Sequence, residues 1–140
     1  MDKEFISYEQ ALALKELGFN EPCMAIYYSK DKSFSWHHHK DHTNDESALD
    51  SGKFNISAPL YQQAFRWFRE KHNLWIEVHV EDNVKLGEQK YYWRIFGEYT
   101  SYEENSWIKA KVDSNGVMSN TYEEAELACL NKLIETVKNK

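Results

Sequence analysis

"LWIEVHV" (residues 74–80) and "YYWRIFGEYT" (91–100), joined by "EDNVKLGEQK" (81–90), decide the fold. Leu74, Ile76, Val78 and Val80 recur at period 2, with Trp75, Glu77 and His79 between them. Successive strand side chains point to opposite faces, so the even-numbered residues are predicted to face a core and Trp75, Glu77 and His79 to face outward. The partner strand divides the same way, with Tyr92, Arg94 and Phe96 on one face and Tyr91, Trp93 and Ile95 on the other. Two such runs with a polar, Gly-containing connection read as an antiparallel hairpin.

Upstream, "SAPLYQQAFRWFREKHNL" (57–74) reads as a helix. Ser57 is a candidate cap, and Pro59 suits the first helical turn, where a missing N–H costs nothing. Leu60, Ala64, Phe65 and Phe68 form one apolar stripe flanked by Tyr61 and Trp67, while Arg66, Arg69 and Lys71 lie off it. Before it, "CMAIYYS" (23–29) is nearly continuous in apolar character, as a central strand is. "FSWHHH" (34–39) follows as a second strand, and 40–53 as the longest candidate loop. The segment "SYEQALALKELGF" (7–19) opens with Ser7 and Gln10 in capping-box spacing and ends at Gly18, a natural residue just past a helix. Downstream, "SWIKAKVDSNGVM" (106–118) gives a short strand with an Asn115-Gly116 turn. "TYEEAELACLNKLIETVKN" (121–139) gives a last helix, with Thr121 and Glu124 as a capping box and Leu127, Leu130, Leu133, Ile134 and Val137 as its apolar face. The prediction is one α+β domain over 1–140, with an antiparallel sheet of about five strands packed against helices in the order α-β-β-α-β-β-β-α.

The 140 residues include 17 Lys and Arg against 23 Asp and Glu, a formal charge of −6. That balance argues against phosphate-driven nucleic-acid binding, which needs clustered basic residues. Aromatic residues reach 15%, and such side chains fill cores or line interfaces. Cys23 and Cys129 show no zinc spacing and read as reduced core thiols. The first ten residues contain no apolar signal region and no apolar run is long enough to span a membrane, so a cytoplasmic protein is expected.

"SYEQALALKELGFNEPC" (7–23), "APLYQQAFRWFREKH" (58–72) and "YEEAELACLNKLIETVK" (122–138), in this order, resemble small uncharacterised proteins encoded by phages and prophages of Bacteroidetes-type bacteria. These motifs are capped helices with their flanks. The family carries no assigned activity, so no catalytic residue is implied. The resemblance implies a mobile-element setting, with accessory or counter-defence proteins acting in the host cytoplasm.

Four of six histidines fall in "SWHHHKDHTND" (35–45). On a strand, His37 and His39 share a face, and Asp41 or His42 could add a third ligand. A polar loop supplies fixed geometry and supporting contacts poorly, so the whole HHHKDH segment, His38 included, is expected to be solvent-accessible and free of metal. No nucleophile elbow, phosphate loop or dinucleotide fingerprint occurs. Glu103-Glu104 and Glu123-Glu124 are adjacent, and neighbouring side chains on a helix diverge. No catalytic residue and no cofactor are therefore expected. The outward aromatics are the better lead. Trp75, Tyr91 and Trp93, joined by Trp107, are read as the second face of the sheet, with His79 and Arg94 as polar contacts. The first expectation is a non-enzymatic binding protein acting through this face on a protein or small-molecule partner, homodimers included. The alternative is a small enzyme or nucleotide-sequestering protein with a pocket between the sheet and the second helix.

Overall fold

The computed structural model describes residues 2–36, 41–44, 55–83, 87–97, 112–113 and 118–140. They form two compact units, Met1–Ala64 with Lys140, and Phe65–Asn139. The boundary falls inside one continuous helix.

In the first unit a 3-10 turn, Asp2–Glu4, precedes helix α1 (Tyr8–Glu16). The capping box forms as its spacing predicts: Ser7 Oγ accepts from Gln10 N–H, and Gln10 Oε1 accepts from Ser7 N–H at 3.1 Å. Gly18 stops the helix at φ 94°, a conformation open to glycine. There Phe19 N–H reaches Leu14 O and Gly18 N–H reaches Lys15 O, the paired closure that satisfies the last carbonyls. Ala11 and Leu14 supply the buried face.

Strand β1 (Ala25–Tyr28) is central, as its continuous apolar character predicts. β2 (Phe34–Trp36) flanks it on one side and β3 (Asn55–Ser57) on the other, both antiparallel. Phe34 and Trp36 share one face and pack with Phe5 at ring distances of 5.0 and 5.1 Å. Ala25 and Ala58 complete this small core, and Tyr27 leans on it while its hydroxyl donates to Ile6 O at 2.7 Å.

β3 was not anticipated, and it corrects two expectations. Ser57 is a buried strand residue rather than a helix cap, and the order is α-β-β-β-α-β-β-β-α. Helix α2 (Tyr61–His72) starts later, with Ala64 N–H bonding Leu60 O. Ala64, Phe65, Trp67 and Phe68 are buried, and Arg66, Arg69 and Lys71 are exposed as the stripe predicts.

The second unit holds β4 (Trp75–Asn83), β5 (Glu88–Phe96) and β6 (Val112–Asp113), an antiparallel meander in that order, and helix α3 (Tyr122–Lys138). The strands of the described residues thus form two three-stranded sheets instead of one sheet of about five. The β4–β5 ladder is unbroken from Trp75↔Phe96 to Asn83↔Glu88. α3 packs on β5 and β4. Its buried side chains are Ala125, Glu126, Cys129, Leu130, Leu133 and Ile134. Leu127, expected on that face, is 40% exposed, because its row lies to one side of the buried Cys129–Leu130–Leu133 stripe. Thr121 Oγ1 accepts from Glu124 N–H as predicted, but the Glu124 carboxylate accepts from Asn120 N–H, one residue before the cap. No described helix is long and apolar enough to cross a membrane.

Candidate functional site

The register of the β4–β5 hairpin settles which side chains share a face. Directly opposed residues of antiparallel strands stand on the same side. The pairs Ile76↔Ile95, Val78↔Trp93 and Val80↔Tyr91 therefore share one face. Trp75↔Phe96, Glu77↔Arg94, His79↔Tyr92 and Glu81↔Lys90 share the other.

This separates the five residues that the sequence grouped as one binding face. Trp75, His79 and Arg94 stand together. Tyr91 and Trp93 are corrected to the opposite face, which carries Ile95. Trp93 is 9% exposed there, and Tyr91 meets Tyr122 of α3 edge to face at 6.1 Å. Trp107 lies outside the described residues.

None of these eight residues is buried. Along it, aromatic pairs alternate with pairs of opposite charge. Trp75 is 53% exposed, its indole donates to Asn73 Oδ1 at 3.3 Å, and the Arg69 guanidinium sits 5.2 Å above its ring. Asn73 can stand there because it takes a φ of 53°, which asparagine tolerates better than most residues. His79 stacks on Tyr92 at 5.4 Å with the ring planes 17° apart. Its Nδ1 lies 3.9 Å from Glu77 Oε1, too far for a hydrogen bond, and has no hydrogen-bond partner among the described residues. Desolvation, and after it the Glu81 carboxylate, push the Tyr92 hydroxyl up, so it stays a protonated donor. Sequence reasoning left Arg69, Tyr92 and Phe96 out of the face, although the alternation already placed Tyr92 and Phe96 with Arg94.

A second polar cluster lies in the first unit. His42, expected to be solvent-accessible, is buried. Its backbone pairs with Cys23 in both directions at 2.8 Å, and its Nδ1 stands 2.9 Å from Ser57 Oγ. Ser57 Oγ–H donates to His42 O, which leaves its oxygen to accept from the Nδ1–H tautomer. Asn44 is buried beside them, accepting from Ser57 N–H and donating to Phe19 O. The candidate loop over 40–53 is therefore pinned at 41–44, while His37, His38 and His39 lie outside the described residues. Cysteine, serine and histidine together invite a nucleophilic reading, but burial, then Glu21 and Asp41, push the Cys23 thiol up to about 12. The thiol is 2% exposed and donates to Glu21 O and Gln63 Oε1, as a structural thiol does. Among the described residues no group of three or more His, Cys, Asp or Glu could hold a metal ion.

No family model, no curated protein and no solved structure matches the chain.

Proposed function

We propose that the chain is a phage-associated, non-enzymatic binding protein of accessory or counter-defence type. It docks a protein partner on the outer face of β4 and β5. One observation carries this reading: a half-exposed Trp75 clasped by Arg69 at the end of a face on which the eight residues from Trp75 to Glu81 and Lys90 to Phe96 all stay unburied. Tryptophan, tyrosine and arginine dominate the energetic centres of protein interfaces, because each offers large area and a polar handle. The alternating charge pairs Glu77–Arg94 and Glu81–Lys90 would fix the orientation of a partner more than its affinity. The mobile-element setting rests on the resemblance of the segments 7–23, 58–72 and 122–138.

The test compares proteins captured from host lysate by the native chain, by Trp75→Ala with Arg94→Ala, and by a control changed at exposed Glu16. A prey retained by the native chain and the control but lost from the double variant is the expected result. Identical capture by all three would remove the face from consideration.

A further inference from the structure

We propose that two copies of the chain pair antiparallel along the outer edge of β4, about a two-fold axis at Val78. This goes beyond the docking face above and does not depend on it.

Among the described residues β4 is an outer strand of its sheet, nine residues long and paired with β5 throughout without a bulge. Such an edge presents a row of backbone donors and acceptors to a further strand. β4 contains no proline and no lysine, and its charged residues are the acidic Glu77, Glu81 and Asp82. On the other side of β5, the described residues give β6 over Val112–Asp113. Burial on the α3 side marks the same edge. Ile95 is fully buried and Trp93 is 9% exposed, whereas their neighbours Ile76 and Val78 are half-buried and Val80 is 49% exposed. Apolar cover therefore runs out at β4.

The sequence of the strand selects its own register. In a two-fold antiparallel pair, residues of equal parity oppose each other, so the axis falls on one residue. On Glu77, two glutamates meet. On His79, Glu77 meets Glu81 twice. On Val80, Val78 meets Asp82 twice. On Val78, no like charges oppose within the strand: Val78 meets Val78, Ile76 meets Val80, Glu77 meets His79 and Trp75 meets Glu81, while Asp82 falls opposite Leu74, just before the strand begins. In that register each His79 ring, whose Nδ1 lacks a hydrogen-bond partner among the described residues, gains a carboxylate opposite it. Each exposed Val80 gains an isoleucine. The two outer faces become one surface with Trp75 at each flank.

Sedimentation equilibrium over roughly two decades of concentration reads the association. Glu77→Lys and His79→Glu should each weaken it about 5-fold, the weight of two cross-strand pairs, and the double swap should restore it. An axis on His79 predicts the reverse for Glu77→Lys, since that lysine would face Glu81. A second measurement is independent of charge. Opposed residues of paired strands are ~4.5–5.5 Å apart at Cα, within disulfide range. Val78→Cys should cross-link to itself on mild oxidation, and Val80→Cys should not. A chain that stays monomeric over the range, or a dimer that Val78→Cys fails to cross-link, overturns the proposal. Neither result bears on partner capture through Trp75.

Discussion

Single side chains carry most of what is buried here. Phe68 is fully buried and packs edge to face on Trp67 at 5.1 Å. Truncating it removes that contact and leaves a cavity, so Phe68→Ala should lower stability by about 3–5 kcal/mol in urea melts. Ser57 is a subtler case. Its Oγ serves His42 twice, at Nδ1 and at the carbonyl. Ser57→Ala would remove both of these buried hydrogen bonds, for an expected loss of about 1–3 kcal/mol by the same melts. Neither role of Ser57 was legible in the sequence, where Ser-Ala-Pro reads as the entry to a helix. The residue's partners, His42 at the hydroxyl and Asn44 at the backbone N–H, lie more than ten residues away in a stretch that shows no period. The outer face was half legible for a similar reason. Alternation assigns sides within each strand, but only the register says which side of β5 belongs with which side of β4. Trp75, His79 and Arg94 were placed correctly, and Tyr91 and Trp93 were carried across by their aromatic character alone.

Elements with strong punctuation were read correctly. α1 begins at its capping box and ends at Gly18, and α3 begins at Thr121. Gly18 has nothing within 4 Å of the position a Cβ would take, so only its backbone resists substitution. Gly18→Ala should therefore cost about 1–2 kcal/mol from the left-handed conformation alone, with no loss of packing; thermal melts check this. β3 escaped because three residues cannot display a period, and Pro59 two positions on pulls the reading toward a helix. Its absence from the expected order explains the larger miss. Without β3, the remaining strands look like one sheet of five; with it, β1 sits between two partners, in a sheet of three among the described residues.

Across the whole molecule, each compact unit holds one buried cysteine, Cys23 in the first and Cys129 in the second. Burial first, then nearby carboxylates, pushes both thiols from an ordinary 9.0 up to about 12. Neither should react with a thiol reagent at pH 8 in the native chain, and both should react after denaturation. Because the folded state holds these protons more tightly, their contribution to stability is complete below the unfolded thiol's pKa. It is lost as pH rises from about 9 toward 12, so urea midpoints should fall over that window. Gln10 has a different kind of reach. Its side-chain oxygen accepts from Ser7 three residues back and from the Tyr61 hydroxyl 51 residues on. The nearer bond closes a loop of a few residues and can form within microseconds of collapse, before any sheet exists. The farther one must wait for the whole β1–β3 excursion to be threaded and closed. The first turn of α1 is thus made early and fastened late, and its amides should gain full exchange protection only when the start of α2 arrives.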